Sequence, residues 1–441
     1  MSTDTANDRV GPGIVNRRRF LHGAGGALAM YAFGGLGRVG PALAKSPSLP
    51  DPDASGIDHV VVVMMENRSF DHFLGWLKDA DGRQGGLKYR DREGILHATH
   101  RLAPDFQGCG HPDPDHSYDG GRVEYNGGAA DGWLRAGEND EYSIGYYTKQ
   151  DLSFFGQAAG DWTVCDRYFA AIMAETFPNR IYQHAAQTDR LENTVVVSTL
   201  PTIWDRLEEA GLDGRYYFTD VPVLALWGTK YRDIGRPFDA FIADAAAGTL
   251  PHVAFVDPRF VDEDSGTSED DHPHADIRNG EAFLNRVYTA VATSPAWSRT
   301  VLVFNYDEWG GFFDHVPPTS APIPPADQAA GNADGLRGFR VPCLVVSPYS
   351  GGGRVSNIVL DHTSVLRMIE WRWGLTPLTI RDASASNLAE VLDFKGRQRR
   401  RRLISVPTGP FGGACPSSSR AAGESDKWAE LLAMATALGW R

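Results

Sequence analysis

Cysteine is scarce in this chain. There are four in 441 residues, Cys109, Cys165, Cys343 and Cys415, widely spaced and with no C-x-x-C pair. That excludes a scaffold built on disulfides and leaves room for one or two bridges. Basic charge is also in deficit. Forty-three Lys and Arg stand against 56 Asp and Glu, for a formal charge of −13. A general nucleic-acid binder is therefore disfavoured, and an anionic substrate would need local positive charge from a metal or from arginines. There are no internal repeats, and no segment is long and apolar enough to span a bilayer. What is present describes a globular protein with a sizeable core. Hydrophobic residues make up 42% and aromatics 11%, and 48 glycines with 27 prolines imply many turns. The length suits one large α/β domain or two ordinary ones.

The first 44 residues read as an export signal. Asn16 precedes Arg17, Arg18, Arg19, Phe20 and Leu21, then a weakly apolar Gly/Ala stretch runs from Ala24 to Leu36. Ala42-Leu43-Ala44 supplies a small-x-small cleavage site. The pattern is twin-arginine-like, so the expected partner in export is the twin-arginine machinery. The expected location is secreted, periplasmic or cell-wall associated, with a mature chain starting near Lys45.

Two stretches carry the chemistry. Ile57–Gly75 opens with Val60–Val63, apolar at every position, as expected of a strand covered on both faces of a parallel sheet. It stops at Glu66 and Asn67. Thr300–Tyr306, TVLVFNY, repeats the pattern and stops at Asp307 and Glu308. In open α/β sheets ligands bind at the carboxyl ends of strands. Two such ends that deliver carboxylate and amide oxygens can converge on one hard divalent cation, calcium, magnesium or manganese. Further strands are expected at Thr194–Ser198, Tyr216–Phe218, His252–Asp257 and Val341–Ser347. Helices are expected at Ile203–Ala210, Gly280–Val291 and Thr363–Trp373. This alternation fits a doubly wound sheet. Residues 78–147 break the pattern and read as a loop-rich insertion over the strand ends. Pro178 is expected to open a helix, with Thr176 just before it beside free N–H groups. On its own residues, Thr176 reads either as a nucleophile placed to attack phosphorus or as an ordinary helix cap.

In order along the chain stand MMENRSFDHFLG, the TFPNR of Thr176–Arg180, the DHP of Asp271–Pro273 and the YDEWGGFFDHVPP of Tyr306–Pro318. Together they resemble the bacterial phosphoesterase family that contains secreted phospholipases C and acid phosphatases. The resemblance implies a three-layer α/β/α fold of the alkaline-phosphatase type, with a mostly parallel central sheet, and phosphate-ester hydrolysis. It implies that Thr176 is the nucleophile and a metal ligand together with Glu66, Asn67, Asp307 and Glu308. Asn179 is then the expected phosphate contact. His116 and Asp131, in the DHS and DGW of the insertion, are expected near the site. His272 matches the histidine before proline. His116, His272 and His315 share the expected roles of protonating the leaving oxygen and binding the phosphoryl group. Asp314 is expected to orient His315 or to contact the metal.

Three functions remain open on this basis. The first is a phospholipase C releasing diacylglycerol and a phosphorylated head group from a phosphatidylcholine-like lipid, with peripheral contact to the membrane. Trp133, Tyr142, Tyr146, Tyr147 and Phe154 are the candidates for a choline cage. The second is an acid phosphatase acting on phosphomonoesters through the same site. The third, a non-catalytic secreted cation-binding protein, is disfavoured by Thr176 standing with four oxygen ligands. The expected division is a signal peptide over 1–44, a catalytic domain over 45–396, and a basic linker with a C-terminal helix over 397–441. In that helix Trp428, Leu431, Leu432 and Leu438 share a face.

Overall fold

The computed structural model describes residues 49–261, 266–396, 401–415 and 427–440. The expected signal peptide, and most of the basic run at 397–402, lie outside the described residues. Residues 47–441 form one compact unit.

The unit is built on a sheet of eight strands. In chain order these are β1 (His59–Met65), β2 (Thr163–Cys165), β3 (Gly214–Phe218), β4 (Gly235–Pro237), β5 (Val253–Asp257), β6 (Thr300–Tyr306), β7 (Cys343–Val346) and β8 (Val355–Ser356). Across the sheet they run β8-β2-β7-β6-β1-β5-β3-β4. The β6-β1-β5-β3-β4 half is parallel throughout. Only β7 opposes its neighbours β6 and β2. The central strands are apolar at each position because both faces are covered. Every residue of β5, β6 and β7 is buried, as is all of β1 after His59.

The main helices are α1 (Phe70–Leu74), α2 (Tyr118–Tyr125), α3 (Thr176–Ala185), α4 (Ile203–Glu209), α5 (Phe238–Ala247), α6 (Ile277–Thr293), α7 (His362–Trp373) and α8 (Lys427–Ala437). They cover both sides of the sheet, giving the expected α/β architecture of three layers. α3 packs on α7, and α5 packs on α6. α7 begins at a capping box, in which Asp361 and Ser364 satisfy each other's backbone N–H groups.

Three local expectations need correction. Thr194–Ser198 is not a strand. Val196 and Val197 are 67% and 48% exposed, and no strand partner pairs with them. The helix expected to open at Pro178 opens two residues earlier, at Thr176, with Glu175 at the N-cap. Proline is still accommodated in the first turn, where no N–H is missed. The expected choline-cage aromatics Trp133, Tyr142, Tyr147 and Phe154 are fully buried in the core. Among the described cysteines, Cys109 and Cys415 form one disulfide, whereas Cys165 and Cys343 are free and buried.

Candidate active site

The site is assembled by strand register. β1 and β6 are adjacent and parallel, with Met65 opposite Tyr306. Glu66-Asn67 and Asp307-Glu308 therefore leave the sheet side by side. β5 flanks β1 on its other side and ends in Asp257. All of these side chains are buried. Asp307 is fixed by the turn it belongs to, since its Oδ1 accepts the N–H of Asn67 at 3.1 Å and of Glu308 at 2.7 Å. Glu308 Oε2 accepts the N–H of Gly310 at 2.6 Å. Gly310 has φ +62°, and a Cβ there would stand 2.2 Å from the Asn67 carbonyl oxygen, so the approach of the two turns requires glycine. Asn67 itself has φ +54°, a left-handed conformation that asparagine tolerates better than most residues. His362, at the start of α7, binds the Asp307 carbonyl through Nε2 at 2.7 Å.

Helix α3 points its first turn at these carboxylates. Thr176 is its first residue, 3% exposed, and its hydroxyl donates to Asn67 Oδ1 at 3.4 Å. One turn on, Arg180 enters the carboxylate cluster. Its Nε lies 3.2 Å from Glu66 Oε1 and 3.3 Å from Asp307 Oδ2, and its Nη1 lies 3.3 Å from Asp257 Oδ1. Its Nη2 donates to the carbonyls of Met64 and Met65, each at 3.3 Å. One guanidinium against Glu66, Asp257, Asp307 and Glu308 leaves an excess of acid. Burial pushes the carboxyls of Glu66, Asp307 and Glu308 above their ordinary range, and mutual repulsion adds to this for Glu66 and Glu308. Asp257 is raised to about 6 by burial. Glu308 Oε1 is buried without a hydrogen bond, and Asp307 Oδ2 has only its ion pair with Arg180 at 3.3 Å. Buried oxygens of this kind normally have a partner, and these two, beside Asn67 and Thr176, are hard donors of the type a divalent cation takes.

The insertion supplies His116, and the segment before α6 supplies His272. Asp113, His116 and His272 present ligand atoms within 4.8 Å of one another, a candidate metal-holding cluster. His116 Nδ1 is bound to the Pro114 carbonyl at 2.8 Å, and its Nε2 faces Asn67 Nδ2 at 3.4 Å. Asn67 therefore touches both Thr176 and His116. His272 is held the same way, with Nδ1 on the Pro273 carbonyl at 2.9 Å and Nε2 facing Asp113 at 3.7 Å. Burial pulls His116 down, but Glu308, Asp113 and Glu175 outweigh it, so its pKa stands well above the ordinary value. His272 is pushed well below by burial and by the charge on His116.

Four expected assignments do not fit the geometry. Asn179 does not face this cluster. Its Oδ1 accepts the Ile172 N–H, and its Nδ2 donates to the carbonyls of Ile172, Ala174 and Glu175 at 2.8–3.2 Å, so it shapes the loop before α3 and has no donor left for a phosphate. Asp131 pairs with Arg135 at 2.8 Å and with Asn126, half exposed, because the turn after α2 closes on itself there. His315 has both ring nitrogens on carboxylates, Asp71 at 2.5 Å and Asp81 at 3.1 Å, which leaves neither for a leaving group. Asp71, not Asp314, orients it. Asp314 accepts from Arg340 Nε at 2.9 Å and from the N–H groups of Asp71 and Val316, and with Asp71 and His315 it presents ligand atoms within 4.8 Å of one another, a second candidate metal-holding cluster apart from Thr176. Arg180, Asp257 and His362 were not singled out from sequence. Asp257 carried a signal, an acid ending an apolar strand. Arg180 and His362 reach the site only through the packing of α3 and α7.

The family model described as the Phosphoesterase family matches residues 57–376, and the chain belongs to that family. It is a hydrolase acting on phosphate ester bonds. Phospholipase C B of Mycobacterium tuberculosis is 31% identical over 459 residues, covering 86% of each chain. Non-specific phospholipase C6 of Arabidopsis thaliana is 29% identical over 392 residues, which is 80% of this chain and 75% of that one. Among solved structures, a phosphonate monoester hydrolase of Agrobacterium radiobacter aligns with a TM-score of 0.37 at 12% identity, over 78% of this chain and 79% of that one. Among the described residues no helix is long and apolar enough to cross a membrane.

Proposed function

We propose that the chain is a phospholipase C that cleaves the glycerol–phosphate ester of phosphatidylcholine-like lipids through a phosphothreonine intermediate. The observation that carries this reading is the meeting of the Thr176 hydroxyl and Asn67 beside Asp307 and Glu308, where Glu308 Oε1 is buried without a hydrogen bond and Asp307 Oδ2 meets only Arg180. The relatives, a mycobacterial phospholipase C and a plant non-specific phospholipase C, support the lipid substrate. Thr176 Oγ releases its proton to solvent and attacks phosphorus, the P–O bond to glycerol breaks, and the departing oxygen takes a proton from His116, leaving that ring neutral. Of the two histidines, His116 is the one driven towards its charged form and His272 the one kept neutral, an arrangement that separates acid from base. Water, giving a proton to the now neutral His116, then cleaves the Thr176–phosphate bond, and the released threonine oxygen takes a proton back from solvent. Glu66, Asn67, Thr176, Asp307 and Glu308 would hold a divalent calcium, magnesium or manganese ion. When bound, such an ion supplies positive charge that acidifies the threonine hydroxyl and offsets the charge on phosphoryl oxygens.

Work outside the cytoplasm belongs to the same proposal. The Arg17-Arg18 pattern supports it, as does the Cys109–Cys415 bridge, since disulfides persist in oxidising compartments. The substrate is tested by comparing hydrolysis of a choline-bearing aryl phosphodiester with that of the aryl phosphomonoester. A preference for the diester is expected. A preference for the monoester would replace this reading by the acid phosphatase.

A further inference from the structure

The family match ends at residue 376, yet the chain returns to the site 52 residues later. Helix α8 buries Trp428, Leu431 and Ala435, and its far end is anchored by Trp440, whose indole N–H donates to the Gly228 carbonyl at 2.9 Å. Trp428 is the residue that reaches the carboxylates. Its indole N–H donates to Glu66 Oε2 at 3.2 Å, while Arg180 Nε holds Oε1 of the same carboxylate at 3.2 Å. Glu66 is thus gripped on both oxygens from two separate elements, each of which keeps a lone pair facing elsewhere. The ring of Trp428 is itself fixed. It stacks on Phe260 with centroids 4.0 Å apart and planes 10° from parallel, and meets Phe177, the neighbour of Thr176, edge-on at 5.1 Å. The Arg180 guanidinium lies 4.6 Å from the Phe260 ring and 5.5 Å from that of Trp428. Cys415, bonded to Cys109, pins the chain 13 residues before Trp428 to the insertion that also carries His116.

We propose that Trp428 is a positioning residue of the active centre. Its N–H sets the orientation of Glu66 for cation binding, so the C-terminal helix completes the site. This rests on the reading of Glu66 as a cation ligand. Groups that hydrogen-bond a ligand fix its direction, and their loss typically weakens metal binding by about 10- to 100-fold. Phenylalanine at 428 removes the N–H and keeps one aromatic ring against Phe260 and Phe177, while giving up part of the indole volume.

The test uses full-length, chelator-stripped protein and Mn2+ alone, followed by electron paramagnetic resonance. Trp428→Phe is compared with wild type, with Glu66→Ala and with Trp440→Phe, which loses the other anchoring N–H of the same helix without touching Glu66. The expected result is about tenfold or more weaker Mn2+ binding in Trp428→Phe, the same weakening with benzothienylalanine at 428 at an unchanged melting temperature without metal, and near-wild-type binding in Trp440→Phe. If Trp428→Phe binds Mn2+ as wild type does, the inference fails and the cation site stands. Equal weakening by Trp428→Phe and Trp440→Phe would reduce the contact to helix docking and also overturn it. Wild-type Mn2+ binding that is absent, or indifferent to Glu66→Ala, would remove the cation site and the inference together. Benzothienylalanine at position 428, which has the shape of tryptophan without its N–H, gives the same readout should the phenylalanine variant fold poorly.

Discussion

Arg180→Met is the perturbation with the largest worked consequence. Arg180 is 1% exposed, and its guanidinium contacts Glu66, Asp257 and Asp307 within 3.3 Å. Methionine fills the apolar slot against Phe260 but leaves three buried carboxylates without their cation. Removing one partner from a buried ion pair costs about 3–5 kcal/mol, chiefly through the charge left behind. The carboxyls escape part of that cost by keeping protons. Their pKa values are already raised, with Asp257 at about 6, and losing Arg180 raises them further. An acid whose pKa is raised on folding binds a proton that the unfolded chain releases, so it loses stability as pH rises. The deficit of Arg180→Met should therefore be smallest near pH 5 and grow towards pH 8. Urea unfolding in the presence of chelator at both pH values measures it. A loss under about 1 kcal/mol, or one independent of pH, would refute the reasoning, because the carboxylates would then not depend on Arg180.

Thr176→Val should lower turnover on the order of a thousandfold or more and change stability by less than about 1 kcal/mol, because the lost bond is long and the helix cap is Glu175. Kinetics and denaturant unfolding on one preparation check both, and Thr176→Ser should retain part of the activity. Chelation should abolish hydrolysis and a divalent ion should restore it. Asp307→Ala should neither bind the ion nor be rescued, as measured by metal content and rate. Glu281 is raised to about 8 by burial, then by Asp271, while its Oε2 accepts the Phe155 N–H at 3.2 Å. Between its ordinary value and about 8 the folded state holds a proton that the unfolded state releases. Stability of the wild type should therefore fall as pH rises through this window, with a slope on the order of 1 kcal/mol per pH unit. Glu281→Gln should flatten that slope in denaturation at pH 5 and 8.

The centre of the fold was legible because its signal is local. β1 and β6 are apolar at every position, and each stops on two oxygen-bearing residues, so strand, burial and site end could be read together. Thr194–Ser198 has the same composition over a shorter run, but only tertiary pairing distinguishes a strand from an exposed segment, and Val196 stays in solvent. The reversal of β7 carries no local mark either. In the site, Glu66, Asn67, Asp307 and Glu308 are picked out by their position at strand ends, whereas Thr176 is picked out only by the resemblance of its TFPNR motif to the family. Asn179 shares the Thr176 motif, yet its amide is consumed by the loop it stabilises. His315 shares a motif with Asp307, yet Asp71 and Asp81 capture it. Arg180 and Trp428 act on Glu66 from 114 and 362 residues away, and no spacing rule reaches that far.

The covalent step is tested most directly by trapping. Wild-type enzyme is mixed with a phosphodiester substrate, quenched in acid within a turnover, digested and analysed by mass spectrometry. Phosphate on the peptide containing Thr176, located at that residue and absent from Thr176→Val, is the predicted result. Full turnover with no phosphorylated Thr176 peptide, or phosphate on a different side chain, would contradict the account.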